Sequence, residues 1–192
     1  MPPSSTRIKK VVRIHIGQYH ASRMPVIIYT LLGSCVAVCL YDPVRKIGGM
    51  NHIFLPGKAN MNRFDAPARY GVNAMELLIN RIMNLGGKKK RFVAKVFGGA
   101  HLLPSVTIQN GVGQKIVEFV IEFLKMESIR IVGKDVGGYQ GRKIFYHTDT
   151  GEVLLKKIKS TNFSNIVKEE KQQKSKLKNK FLMSGEIYLF KD

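Results

Sequence analysis

Cysteine is scarce in this chain and tryptophan is missing. Of the 192 residues only Cys35 and Cys39 are cysteines, and two cysteines cannot build a disulfide framework. Four residues apart on one strand, they are too distant to bridge, because a strand rises about 3.3 Å per residue and a disulfide needs Cα atoms within about 7 Å. Neither a CxxC pair nor a recognised zinc spacing that includes His52 is present. We therefore predict a reducing, cytoplasmic setting and no metal site.

Long apolar runs are lacking too. The longest, residues 26–41, is interrupted by Thr30, Gly33 and Ser34, whereas a membrane-spanning helix needs about 20 predominantly apolar residues. We interpret this run as buried strands and expect no membrane insertion. The first ten residues, MPPSSTRIKK, contain no apolar segment of the signal-peptide type, so we expect no secretory signal.

Acidic residues are few. There are 13 Asp and Glu against 32 Lys and Arg, a formal net charge of +19, which favours acidic partners such as nucleic acid, an anionic membrane surface or an acidic protein. Nucleic-acid binding would depend on charge alone, and we expect no specific nucleic acid. The composition predicts a folded domain over residues 1–158 and a lysine-rich, flexible tail over 159–192. The tail ends in a short apolar peptide, GEIYLF, which either docks or frays.

Hydrophobic periodicity predicts two helices among many strands. Period-two or fully apolar segments indicate strands at 8–16, 26–29, 35–41, 49–55 and 92–97, and further short strands within 129–138 and 141–158. Helical spacing predicts helices at 68–85 and 113–126. We expect strands 35–41 and 49–55 to form a hairpin, and Thr150-Gly151 to make a second tight turn. The order of elements predicts an α+β fold, with the two helices covering one face of the sheet structure.

The Gly33-Ser34 break leaves two interpretations of Cys35. A cysteine in an apolar strand is usually a small packing residue, which suits Cys39. Cys35, however, begins its strand directly after a glycine turn, where we expect it to be accessible and where backbone N–H groups could stabilise an oxyanion. A nucleophilic thiol needs a base, and a hairpin centred near residue 45 brings His52 opposite residue 38, within a few residues of Cys35. The residues alone favour a structural histidine and leave the choice open.

A family resemblance bears on this choice. The segments GSCVAVCLYDP and GGMNHIFLP, with ARYGVNAMELLINRIMNLG, AKVFGGA, DVGGYQGRKIFYHTDTGEV and GEIYLF, closely resemble the chemoreceptor glutamine deamidases, the CheD family of bacterial chemotaxis. The resemblance covers most of residues 8–158. It implies a layered α/β/β sandwich similar to the catalytic fold of the cytotoxic necrotizing factor toxins. One element departs from the family's frequent Gly-x-Arg-Asn, since this chain has Gly113-Gln114-Lys115-Ile116.

The resemblance also implies a reaction and its residues. Cys35 is the implied nucleophile, His52 the base and Thr30 the residue that orients it, with Gly33 and Ser34 beside the oxyanion. The implied substrates are glutamines of methyl-accepting chemotaxis receptors, no cofactor is required, and a CheC-type phosphatase is an implied partner. A regulator with little or no turnover, binding receptors and CheC, is the alternative. The glycine turns at 98–99 and 137–138 are expected to position the site.

Overall fold

A computed structural model describes residues 9–55, 66–102 and 111–158, together with residues 168, 171–172 and 175–176 of the C-terminal segment. Within these residues the chain forms nine strands and two long helices. In chain order they are β1 (Lys10–Arg13), β2 (Tyr19–Ser22), β3 (Val26–Leu32), β4 (Val36–Asp42), β5 (Ile47–Ile53), α1 (Ala66–Asn84), β6 (Val93–Gly98), α2 (Val112–Met126), β7 (Arg130–Val136), β8 (Gly141–His147) and β9 (Val153–Ile158). A short 3₁₀ turn lies between α1 and β6.

The first sheet has five strands in the order β2-β5-β4-β6-β7. Strands β4 and β5 form the predicted hairpin, which is confirmed. His52 lies opposite Ala37, one residue away from the predicted position 38, because the connection occupies four residues and centres between 44 and 45. Lys46 closes that loop with a positive φ of 53°, while the Asp42 carboxylate accepts hydrogen bonds from the N–H groups of Val44 and Arg45.

The second sheet has four strands in the order β1-β3-β8-β9. Its β8–β9 hairpin turns at the predicted place, with Gly151 at a φ of 71°. The predicted strand 8–16 is only partly correct, because β1 ends at Arg13 and the chain turns at Gly17, whose φ is 79°. The chain then enters β2, a strand that the periodicity did not predict. It is four residues long and only Ala21 is buried, so it carries no apolar pattern of its own.

The molecule has three layers. A Cβ at Gly49 of β5 would lie 2.8 Å from Leu78 of α1, whereas one at Gly48 would meet the Tyr146 hydroxyl of β8. Alternate residues of β5 therefore face the helices and the second sheet. Helix α1 contacts β2 and β5, and α2 contacts β4, β6 and β7. The predicted α/β/β arrangement, with both helices on one side, is confirmed.

The central strands β4 and β5 are covered on both faces, which explains their nearly continuous apolar sequence. All residues of β5 and all but Tyr41 of β4 are buried. Neither described helix is long and apolar enough to cross a bilayer. The predicted tail lies largely outside the described residues. Its five described positions are helical and exposed, and the division into domain and tail stays a prediction.

Candidate functional site

Thr30 and His52 meet between the two sheets. Thr30 comes from β3 of the four-stranded sheet and His52 from β5 of the five-stranded sheet, and the Thr30 Oγ1 lies 2.8 Å from the His52 Nδ1. The Thr30 hydroxyl also donates to the carbonyl oxygen of Ile14 at 2.8 Å. A hydroxyl has only one proton, so towards His52 it must accept. The hydrogen-bond network therefore assigns the proton of the neutral ring to Nδ1 and leaves the lone pair on Nε2.

The backbone of His52, like its ring, is fixed by hydrogen bonds. Its N–H donates to the carbonyl oxygen of Gln18 at 3.0 Å, and its own carbonyl oxygen accepts from the N–H of Gly17 at 2.8 Å. His52 exposes only 3% of its surface, and its Nε2 is buried. The imidazole is thus fixed in position and in tautomer, which is what a base with one defined task needs.

Cys35 lies one residue before β4. Ala37 pairs with His52, so Cys35, two residues before Ala37, is the diagonal neighbour of His52. Diagonal neighbours in a sheet lie about 7–8 Å apart, which is within reach of longer side chains. The Gly33–Cys35 turn also pairs with the end of β6. The N–H of Gly99 donates to the Cys35 carbonyl oxygen at 2.8 Å, and the N–H of Ala100 donates to that of Gly33 at 2.9 Å. Predicted site residues 30, 33–35 and 52 thus converge on one end of the two sheets.

Cys35 is buried, which corrects the expectation of an accessible thiol. Its exposed fraction is 0%. The strand-start position therefore does not open the residue to solvent. Tyr70 of α1 is an electrostatic neighbour of Cys35: burial first, and the nearby Cys35 second, raise the pKa of Tyr70. Sequence reasoning missed Tyr70, which shows there only as one position of a helical pattern.

Cys39 has a different environment. It pairs with Met50 in the middle of the hairpin and exposes 2% of its surface. Burial raises the pKa of its thiol far above the usual range, and the partly opposing effect of Lys95 is smaller. A thiol held in the neutral form is a poor nucleophile. The structure therefore supports a packing role for Cys39.

Two glycine turns and a glycine of α2 lie at or near the Cys35 turn. Gly98 has a φ of 110°, and a Cβ there would collide with the Cys35 carbonyl oxygen. The N–H of Gly137 donates to the carbonyl oxygen of Gly98 at 2.9 Å. Gly113, at the start of α2, packs so closely that a Cβ would lie 2.6 Å from the Gly99 carbonyl oxygen. Close backbone approach requires glycine at 98 and 113, and the positioning role of the turns at 98–99 and 137–138 stays a prediction.

A small cavity lies among these turns. Its volume is about 20 Å³, and its lining residues are Gly99, Ala100, His101, Gly113, Gln114, Gly137 and Gly138.

Two other histidines lie away from this site. His147 of β8 lies beside the Lys9 ammonium at 3.2 Å, and His20 pairs with Met50 at the edge of the first sheet. Within the described residues, no group of three His, Cys, Asp or Glu side chains could hold a metal ion.

A family model and curated relatives agree on one family. A family model described as CheD chemotactic sensory transduction matches residues 54–157. A probable chemoreceptor glutamine deamidase CheD 1 from Shewanella oneidensis is 44% identical over 184 residues, covering 95% of this chain and 88% of the relative. A probable chemoreceptor glutamine deamidase CheD from Thiobacillus denitrificans is 42% identical over 183 residues, covering 94% and 90%. The crystal structure of a hypothetical protein, YfiH, from Bacillus licheniformis superposes with a TM-score of 0.40 at 17% identity, covering 61% of this chain and 49% of that one.

Proposed function

The chain belongs to the CheD family of chemotactic sensory transduction proteins, and from this premise we propose that it deamidates glutamine side chains of chemoreceptors, with Cys35 as nucleophile. The relatives' printed names are those of glutamine deamidases. The observation that carries the residue assignment is the Thr30–His52 contact of 2.8 Å. This contact places the proton of the neutral His52 ring on Nδ1, so that Nε2 can act as the base.

The first step is a proton transfer. His52 Nε2 takes the proton of the Cys35 thiol, and the resulting imidazolium keeps its Nδ1–H bonded to the Thr30 hydroxyl. That hydrogen bond strengthens once the ring is charged, because bonds to charged groups are about twice as strong as neutral ones. Thr30 therefore acts through His52, as a positioning residue.

The thiolate sulfur then attacks the carboxamide carbon of the substrate glutamine. A C–S bond forms while the carbonyl electron pair moves to oxygen, and backbone N–H groups at Ser34 and Cys35 are our candidates for holding that oxyanion. When the tetrahedral intermediate collapses, the C–N bond breaks. The imidazolium of His52 gives its proton to the departing nitrogen, which leaves as ammonia, and a thioester to Cys35 remains.

Water completes the reaction. His52 Nε2, again neutral, takes a proton from the water that attacks the thioester carbon. The C–S bond breaks, the His52 imidazolium returns its proton to the Cys35 sulfur, and glutamate is released. Overall, one amide and one water become one carboxylate and one ammonium ion, so the chemistry needs no electron acceptor or donor.

The burial of Cys35 places a demand on the substrate. Because the thiol exposes 0% of its surface, a folded receptor must insert a slender side chain or the site must open. A glutamine side chain is a flexible two-carbon arm with its carboxamide at the end, so it is a suitable shape for a narrow approach.

Partners beyond the receptor remain proposals. We propose a cytoplasmic site of action and an interaction with a CheC-type phosphatase, both on the family resemblance. The strongly basic composition, with a formal charge of +19, suits an acidic protein surface. No specific observation favours the non-catalytic regulator over the deamidase.

The test is peptide mass spectrometry of a purified chemoreceptor cytoplasmic fragment incubated with the protein. Hydrolysis of an amide to a carboxylate adds about 1 Da per glutamine. We expect this shift with wild type, and none with Cys35→Ala or His52→Ala. Cys39→Ala is the matched control, since it removes the other thiol and should retain activity. Deamidation by Cys35→Ala at the wild-type rate would show that the nucleophile is another residue.

A further inference from the structure

His101 carries a buried ring nitrogen that the fold does not satisfy. Its Nε2 is buried and has no hydrogen-bond partner among the described residues. Buried polar groups in native proteins are overwhelmingly hydrogen-bonded, and leaving one unsatisfied is costly. This nitrogen therefore needs an explanation beyond packing.

The position of His101 relates it to the proposed nucleophile. It follows Ala100, whose N–H donates to the Gly33 carbonyl oxygen at 2.9 Å, and Gly99, whose N–H donates to the Cys35 carbonyl oxygen at 2.8 Å. The chain thus runs beside the Cys35 turn, and His101 is the second residue beyond the one paired with Cys35. A side chain here follows directly on the segment bonded to the Cys35 turn, and it does not belong to the Thr30–His52 pair.

His101 has a backbone contact and a ring contact with the Gly138-Tyr139 segment. Its backbone N–H donates to the carbonyl oxygen of Gly138 at 2.7 Å. The imidazole meets the Tyr139 ring edge-on, with centroids 6.2 Å apart and planes at 76°. Preorganisation of this kind lowers the entropic cost of binding.

The cavity that His101 lines is bordered by glycines that differ in how closely they are packed. Gly99 and Gly113 are in close contact, since a Cβ at Gly113 would lie 2.6 Å from the Gly99 carbonyl oxygen. A Cβ at Gly137 or at Gly138 would meet no atom within 4 Å. The volume of about 20 Å³ has room for roughly one small polar group.

We propose that His101 is a substrate-binding residue, whose Nε2 hydrogen bonds a polar group of the chemoreceptor chain beside the target glutamine. The inference rests on the proposed function and deepens it, because it assigns a recognition role to a residue outside the Cys35, His52 and Thr30 set. It also explains why the fold retains an unsatisfied nitrogen: the hydrogen bond is completed only when substrate is bound.

The test compares three variants in steady-state deamidation of a purified chemoreceptor cytoplasmic fragment. His101→Leu should lower kcat/KM about 3- to 10-fold, mainly through KM, as expected for one lost hydrogen bond. The same variant should melt at the wild-type temperature or higher, because it removes an unsatisfied buried atom. His101→Gln, whose amide reaches towards the Nε2 position, should recover most of the loss. His20→Leu, at the far edge of the first sheet, should leave kcat/KM unchanged.

Other outcomes would overturn the inference. Equal kcat/KM for wild type and His101→Leu would mean that the cavity holds a structural water only. If His101→Leu and His101→Gln both had lower activity and lower melting temperatures than wild type, His101 would have a structural role. If His101→Leu does not fold, His101→Asn replaces it, since its amide is too short to reach the Nε2 position.

A binding measurement separates this inference from the proposed reaction. The receptor fragment is titrated against Cys35→Ala and against Cys35→Ala/His101→Leu, neither of which turns over. We expect the double variant to bind about 3- to 10-fold more weakly. An inactive wild type together with this difference would contradict the deamidase proposal alone, whereas equal affinities would contradict the role of His101.

Discussion

Replacing Thr30 by Val tests the Thr30–His52 pair with almost no change in volume. The substitution removes the acceptor 2.8 Å from His52 Nδ1 and the donor 2.8 Å from the Ile14 carbonyl oxygen. A hydrogen bond to a charged group contributes about 1.5–3 kcal/mol, and the imidazolium forms only during the reaction. Since about 1.4 kcal/mol corresponds to a factor of ten, kcat should fall about 10- to 150-fold, with a much smaller change in KM.

The assay is the initial rate of receptor-fragment deamidation at saturating substrate, read by mass spectrometry. Thr30→Ser is the matched control, because it keeps the hydroxyl and should retain most of kcat. The Val variant should also lose about 1–3 kcal/mol of unfolding free energy, since it leaves a buried Nδ1–H without an acceptor. A folded Thr30→Val with kcat within twofold of wild type would refute the role given to Thr30.

Two further predictions concern the two ends of β4, first Asp42 at its end and then Gly98 beside Cys35 at its start. Burial acts to raise the pKa of Asp42, but hydrogen bonds from Arg91 and from the N–H groups of Lys88, Arg45 and Val44 outweigh it and lower this pKa to about 2. A carboxyl whose pKa is lower in the folded than in the unfolded chain stabilises the fold at pH values above the unfolded pKa. The free energy of unfolding should therefore fall by about 2 kcal/mol as the pH falls from 4 to 2. Chemical denaturation should show a smaller fall for Asp42→Asn, and an equal fall would contradict the assignment. Gly98→Ala should cost at least about 2 kcal/mol more than Gly137→Ala, because both glycines have positive φ but only the first would collide with Cys35; equal melting temperatures would show that the turn can relax.

Local patterns were sufficient for most of the fold. The apolar run 35–41 ends at Asp42-Pro43, and the next begins near Gly48-Gly49. These turn-forming residues predicted the β4–β5 hairpin, which the structure confirms. The two helices follow from 3.6-residue periodicity because each buries one face on a sheet. Strand β2 escaped prediction, since an edge strand with one buried residue is held by its ladder to β5 and not by its own composition.

The family and the reaction class were also accessible from the sequence, because they depend on motifs that are contiguous in the chain. The roles of Cys35, His52 and Thr30 entered by resemblance and stay predictions until the variants are measured. The residues alone placed His52 only within a few positions of Cys35, since a hairpin register depends on how many residues its loop uses.

By itself, the sequence determined the hairpin, the helices, the α+β class and the family, all of which are encoded in short-range order. Only the tertiary structure decided that Thr30 meets His52 across the gap between two sheets, that Cys35 is buried, and that Tyr70 is its electrostatic neighbour. The physical reason is that these contacts join segments from different layers. Their distances depend on how the sheets and helices stack, which hydrophobic periodicity along one segment does not specify.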